Sequence, residues 1–268
     1  MSRRSRTCLP AALLFAALIG LGEAAEPAMA PVPGGTFVMG DSEGDANETP
    51  RPVTVAPFRI MRLEVTNRQF AAFVAATGQR TDAEDSGAGY VWDGSWRLVP
   101  GADWRHPEGP GSSIVAKDDH PVVQVSARDA TAFCAWRGLR LPGEAEWEFA
   151  ARGTDGRRYP WGMEFPGAGA RANSGTVECC AADADDGYSR TAPVGRFPAG
   201  ASPFAILDMA GNVWEWTASP FPGKPGLISL RGGGWGNDAD YCRVAYRGSN
   251  NPGVRTGYNG FRIVLDLN

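Results

Sequence analysis

The chain has 268 residues, 43% of them hydrophobic, and a net charge of −4 with both signs mixed along its length, which suits one sizeable core and a single domain. That balance excludes the basic footprint of a nucleic-acid binder and the polybasic patch of a membrane-surface protein. With 35 Gly, 21 Pro and 9 Trp but few long apolar runs, the fold should be loop-rich with an aromatic core, and there is too little periodicity for a nucleotide-binding sheet or a barrel.

The N-terminus reads as a leader. Arg3, Arg4 and Arg6 precede an apolar stretch from Leu9 to Leu21 and small residues at Ala24, Ala25 and Ala30, the pattern of a secretory signal over residues 1–25, with cleavage as late as residue 30. The stretch is short for a membrane span, so no stable span is expected after cleavage, and a periplasmic or secreted mature domain should run over 31–268.

Phe37–Met39 and Val53–Val55 then read as paired short strands around a polar loop. Thr66 or Asn67 caps a helix with Phe70, Phe73 and Val74 at helical spacing, and Gly78 stops it. Residues 79–119 read as irregular, apart from a hairpin of Tyr90–Trp92 and Trp96–Leu98 around Asp93-Gly94. Ser126 caps a second helix over 127–137, and a third is expected to start after Leu141, with Pro142 in its first turn, and to reach Ala151. Beyond Gly153, long loops alternate with short strands.

Once the leader is removed, Cys134, Cys179, Cys180 and Cys242 remain, enough for two disulfides in an oxidising compartment. Cys179 and Cys180 are adjacent, and bridges from them to other partners, Cys242 among them, are the expectation.

Several phrases stand out from the background of short elements. They are Gly101-Ala-Asp-Trp-Arg-His-Pro-Glu-Gly-Pro-Gly-Ser-Ser-Ile114, His120-Pro-Val-Val123, Arg140-Leu-Pro-Gly-Glu-Ala-Glu-Trp-Glu-Phe149, Gly211-Asn-Val-Trp-Glu-Trp216, Arg231-Gly-Gly-Gly-Trp235 and Gly260-Phe-Arg262. In this order, from about Pro33 to Val264, the chain resembles the formylglycine-generating enzyme (sulfatase-modifying factor) family. The resemblance implies an irregular α+β single domain related to C-type lectins, with twisted antiparallel sheets and packed helices.

Asp183, Asp185 and Asp186 cluster near Asn173 on a turn-rich stretch; by composition this is either a solvated acidic turn or a set of hard oxygen donors suited to Ca²⁺. The resemblance favours calcium. It assigns one structural Ca²⁺ to the side chains of Asn173 and Asp186 with the backbone carbonyls of Ser174 and Tyr188. It assigns a second to the side chains of Asp208 and Glu215 with the backbone of Gly211 and Val213. His106 and His120, the two histidines, are too few for a three-histidine iron site and read as structural hydrogen-bonding residues.

The resemblance also raises a conflict. Family members that make formylglycine carry a Gly-Gly-Ser segment and two cysteines five apart, whose thiolates bind Cu(I) and activate O2 to oxidise a substrate cysteine. Aligned from Arg231, this chain has Gly234 for the serine, Asn237 for the first cysteine and Cys242 for the second, so Cys242 is the one candidate catalytic thiol. Asn is not a soft anionic ligand, so a two-thiolate copper centre cannot form. Aligned instead from Arg243-Val-Ala-Tyr-Arg247, Cys242 leaves that position and reads as a buried or bridged cysteine. The resemblance places Trp214, Trp235, Tyr241 and Arg247, with Tyr246 and Arg243, around one cleft for a peptide or small-molecule substrate, an exported sulfatase included.

Three functions follow. One is oxidation of a cysteine in a Cys-x-Pro-x-Arg peptide to formylglycine. Another is a different oxidation by a periplasmic relative of the siderophore-maturation type. The last is ligand binding without catalysis.

Overall fold

The computed structural model describes residues 27–167, 169–176, 179–180 and 185–267. The stretch read as a leader lies outside them, except for its latest cleavage position at Ala30, as do Asp183 and the sequence around it. Among the described residues no helix is long and apolar enough to cross a membrane.

In chain order the strands and helices are β1 (Met29–Val32), β2 (Gly35–Met39), β3 (Arg51–Val55), β4 (Phe58–Met61), α1 (Asn67–Thr77), α2 (Asp82–Ser86), β5 (Ala88–Trp92), β6 (Trp96–Pro100), α3 (Ala127–Trp136), α4 (Glu144–Arg152), β7 (Trp214–Pro220), β8 (Ile228–Arg231), β9 (Gly248–Asn250), β10 (Asn259–Gly260) and β11 (Val264–Asp266). They form one sheet in the order β1-β4-β11, another in the order β10-β7-β8-β9, and two hairpins, β2-β3 and β5-β6. Pairing is antiparallel except between β7 and β10. This is an irregular α+β architecture.

The expected strands at 37–39 and 53–55 pair with Phe37 opposite Val53. The first helix is closed at its start by a reciprocal bond between Thr66 and Gln69 and at its end by Gly78, whose φ of +68° suits glycine. The 90–98 hairpin forms with Trp92 opposite Trp96. Two expectations are corrected. The third helix begins at Glu144 rather than at Pro142, because Gly143 is its N-cap and Glu146 folds back onto the Gly143 N–H at 2.7 Å. A short helix, α2, interrupts the stretch read as irregular, held by the same kind of box between Thr81 and Glu84.

Aromatic rings fill much of the core. Phe70 and Phe73 of α1 meet Phe133 of α3, and Phe133 meets Phe261, with centroids 5.4–6.0 Å apart. Trp104, from the long loop after β6, closes over Phe70 at 5.4 Å. That loop therefore serves the core through Trp104.

Charge is buried as well. Arg231 of β8 has no exposure and lies between two carboxylates of α4, with Nε 3.0 Å from Glu144 and Nη2 2.6 Å from Glu148. Its Nη1 donates to the Val244 carbonyl at 2.7 Å. Burial works against the Glu144 carboxylate, but Arg231 and Arg247 outweigh it and hold its pKa below the usual range. Replacing Arg231 with methionine leaves two buried carboxylates short of a partner. We expect Arg231→Met to lose about 3–5 kcal/mol in urea unfolding; a loss within error of zero would show that the pairing is not what holds α4 to β8.

Candidate functional site

A cleft of about 390 Å³ opens where the second sheet meets the β5-β6 hairpin, a volume suited to a small ligand or a few residues of peptide. The hairpin supplies Tyr90 and the half-exposed Trp96, and β7 supplies Trp214. Tyr241 and Tyr246 form the opposite wall, their rings 4.6 Å apart and Tyr246 5.8 Å from Trp214. Tyr258 stands between Trp96 and the buried Trp235, at 6.1 and 4.7 Å.

Trp214 and Trp216, two residues apart on β7, lie on the same face and in the same core, and their neighbours give them different roles. Trp216 is wholly buried and donates its Nε1–H to the Val125 carbonyl at 3.0 Å, while Trp214 borders the cleft and donates its Nε1–H to Asn237 Oδ1 at 2.9 Å. The same oxygen accepts the Gly234 N–H at 3.1 Å. Gly234 itself is tightly enclosed, since a Cβ there would meet the Tyr258 ring at 3.2 Å and the Trp214 ring at 3.3 Å.

Of the residues the sequence nominated for substrate, Trp214, Tyr241 and Tyr246 line the cleft. Trp235 is buried behind Tyr258, under the Arg190 guanidinium at 5.1 Å. Arg247 is engaged with Glu144 and with the Asn47 carbonyl at 2.8 Å, and Arg243 with Glu48 at 2.6 Å; neither borders the cleft. Sequence reasoning missed Tyr90, Trp96 and Tyr258, although the Trp-rich hairpin was visible as an element.

The cysteines are arranged differently from expectation. Cys179 and Cys180 are bonded to each other and border the cleft, whereas Cys134 and Cys242 are free and buried. The expected bridges from Cys179 or Cys180 to other partners are therefore absent. Cys242, the nominated catalytic thiol, is sealed with Tyr159 and Ala210 away from the cleft, and burial pushes its pKa up to about 12.

The residues expected to hold calcium group into two neighbouring loops. Asn173 is buried and its Nδ2 donates to the Arg190 carbonyl and to Asn212 Oδ1, leaving its Oδ1 buried with no hydrogen-bond partner. Beside it, the Asp186 carboxylate accepts the backbone N–H groups of Ser174 and Tyr188, each at 2.8 Å.

In the second loop, Asp208 accepts the Gly195 N–H at 2.5 Å, and Gly211 and Val213 are buried backbone. Glu215 is committed to Arg262, with two contacts of 2.7 Å, and to Trp147 Nε1 at 2.9 Å. Glu64 completes this cluster; one of its oxygens takes the Asn212 Nδ2–H at 2.7 Å and the other has no partner. Burial, opposed in part by the Gly195 N–H and by Arg262, raises Asp208 to about 6, and burial with the Asp208 and Glu215 charges raises Glu64 well above the carboxylate range. Among the described residues no three His, Cys, Asp or Glu side chains gather into a metal-binding group, so any ion here would rely on Asn and backbone oxygens too. His106 and His120 hold Asp103 and Thr191 at 3.2 and 3.0 Å and lie outside the cleft.

A family model, the sulfatase-modifying factor enzyme 1-like domain, matches residues 17–267, beginning inside the stretch read as a leader. The chain belongs to the sulfatase-modifying factor family. It is 43% identical to the formylglycine-generating enzyme of Thermomonospora curvata, over 89% of this chain and 93% of that one. It is 41% identical to the inactive Cα-formylglycine-generating enzyme 2 of Mus musculus, over 93% and 89%. The solved structure of PvdO from Pseudomonas aeruginosa superposes with a TM-score of 0.69 at 27% identity, covering 90% of this chain and 95% of that one. Family membership thus spans named enzymes and a relative named inactive, and the cleft must decide between them.

With its thiol near 12, Cys242 is almost wholly protonated at pH 8. Iodoacetamide should alkylate it in the native protein about a thousandfold more slowly than in the unfolded chain. Native labelling at the unfolded rate, read by peptide mapping, would return Cys242 to the list of reactive groups.

Proposed function

We propose that this protein is an exported, copper-independent member of the family whose aromatic cleft grips a peptide or a peptide-derived polar ligand. The observation that carries this reading is Asn237. Its side-chain oxygen is fixed by Trp214 and Gly234, at the position where the sequence resemblance expects the first copper thiolate. Its would-be partner, Cys242, is buried and protonated. A carboxamide and a sealed thiol do not fit Cu(I), which wants two soft anionic sulfurs. No step is therefore routed through copper.

What the chain's own residues do is bind and orient. Trp96, Trp214, Tyr246 and Tyr258 present flat apolar faces with polar edges, suited to holding an extended chain at low entropic cost. Beyond the Tyr241 and Tyr246 wall lies a charged depression of about 500 Å³ bearing Arg158, Asp238 and Asp240, able to receive the polar end of such a ligand. Export is supported by the basic and apolar start of the chain.

The second reading, oxidation of a Cys-x-Pro-x-Arg peptide to formylglycine, is favoured by the identity to formylglycine-generating enzymes; oxidation of the siderophore-maturation type remains the further alternative. One experiment separates the first two. We expect no tight one-to-one Cu(I) binding and no aldehyde by mass spectrometry from a Cys-x-Pro-x-Arg peptide, yet quenching of tryptophan fluorescence by that peptide, weakened about tenfold or more in Trp214→Ala. Copper binding with aldehyde formation would overturn the proposal in favour of the oxidase.

We also propose structural Ca²⁺. The unpartnered Asn173 Oδ1 beside Asp186 fits a hard cation at the first loop, with the Ser174 and Tyr188 carbonyls as further donors. In the second loop, Asp208, Glu64 and Glu215 place three buried carboxylates against one guanidinium, a deficit that a cation held by Asp208, Glu215 and the Gly211 and Val213 carbonyls would relieve. Saturating Ca²⁺ should stabilise the fold by about 2–3 kcal/mol, and Asn173→Ala should remove the share due to the first loop. Identical melting in EDTA and in Ca²⁺ would end this proposal.

A further inference from the structure

The cleft reading leaves the Cys179–Cys180 disulfide without a role. Two backbone bonds lay its segment along the turn that carries Asn237, Gly175 N–H to the Asn237 carbonyl and Cys180 N–H to the Gly236 carbonyl, each 2.8 Å. Cys180 is buried in the same core as Trp214, Trp235 and Tyr258, whereas Cys179 is exposed, and both residues border the cleft.

A structural role does not account for this bond. Disulfides stabilise chiefly by closing long loops in the unfolded chain, and a link between sequence neighbours closes none. It joins no two elements, and the other cysteines among the described residues, Cys134 and Cys242, are free and buried elsewhere. What the pair does have is an asymmetry. One sulfur-bearing residue faces solvent at an aromatic cleft of ligand size; the other is packed beneath it. Thiol–disulfide exchange depends on which sulfur an attacking thiolate can reach.

We propose that the Cys179–Cys180 disulfide is a thiol-exchange site that captures a thiol-bearing ligand, a cysteine peptide or a small thiol, held in the cleft. The ligand thiol gives its proton to solvent and its thiolate attacks Cys179 Sγ. A new sulfur–sulfur bond forms there as the Cys179–Cys180 bond breaks, the electron pair leaves on Cys180 Sγ, and that sulfur takes up a proton. One disulfide and one thiol become a mixed disulfide and one thiol, so no external oxidant or reductant is needed. The inference rests on the cleft reading above and names the chemical class of its ligand.

The test uses protein purified without reductant, the Cys-x-Pro-x-Arg peptide and its serine counterpart, with acid quenching, maleimide blocking and peptide mapping. We expect one peptide per protein as a mixed disulfide on Cys179, with maleimide on Cys180. The reaction should run at least about tenfold faster than with an oxidised synthetic peptide of residues 176–182, because the cleft holds the thiol beside the bond. Trp214→Ala, which leaves the disulfide in place, should bring the rate down towards that of the free peptide. Free thiols at 179 and 180 in the starting protein, no adduct, or an adduct formed no faster than on the synthetic peptide would each overturn the proposal. The serine counterpart separates the two ideas: if it quenches tryptophan fluorescence while no adduct forms, the cleft reading survives and the exchange site does not. If neither peptide quenches and no adduct forms, both fall.

Discussion

The cleft depends on Arg231. This one guanidinium has no exposure, bonds two carboxylates of α4, and donates to the Val244 and Tyr246 carbonyls. It thereby ties a helix, a strand and the 241–246 segment to a single point, and that segment carries the Tyr241 and Tyr246 wall. Around it the charges are balanced in a chain: Glu148 also holds Arg152, and Glu144 also holds Arg247. Replacing such a network with well-packed apolar groups need not weaken a fold, but removing one member leaves its partners buried and uncompensated. The geometry is therefore specified by charge as much as by packing, as suits a chain with little regular structure to fix it.

Arg262 does the same work on the other side of β7, where it holds Glu215 and reaches the Met61 and Leu207 carbonyls. Its pairing leaves Asp208 and Glu64 in excess. Asn212 then joins the Asn173 and Asp208 loops: its Oδ1 accepts from Asn173 and from the Ala192 N–H, while its Nδ2 donates to Glu64.

What the sequence disclosed is what local physics decides. The cap at Thr66 or Asn67, which the structure places at Thr66, the terminator at Gly78, the Asp93-Gly94 hairpin and the Ser126 cap all act within a few residues, and each element sits where those residues put it. The start of α4 was misplaced because Pro142 and Gly143 both suit a helix entrance, and only the fold-back of Glu146 onto Gly143 chooses between them. At the site, Trp214, Tyr241 and Tyr246 were legible from the resemblance. Trp235 and Arg247 were not separable from them, since whether a residue faces a cleft or the core behind it depends on long-range pairing. The cysteines failed for the same reason: a preference for distant bridges needs distant partners, and the fold buries Cys134 and Cys242 elsewhere.

Gly234 and Asn237 act as one unit. Asn237 draws the Trp214 indole N–H and the Gly234 amide onto a single oxygen, which brings the Trp214 ring close against the 234 backbone. In that arrangement a Cβ at 234 would press on both Trp214 and Tyr258. A serine there would need both rings to yield by a few tenths of an ångström, and a cysteine at 237 would surrender both hydrogen bonds. Introducing either residue alone therefore works against the packing that the other maintains. The sulfur available to this cleft lies instead on the neighbouring segment, held to the same turn by the backbone of residues 236 and 237. The cleft therefore sets its aromatic walls beside the Cys179–Cys180 disulfide, with the Asn237 carboxamide between them.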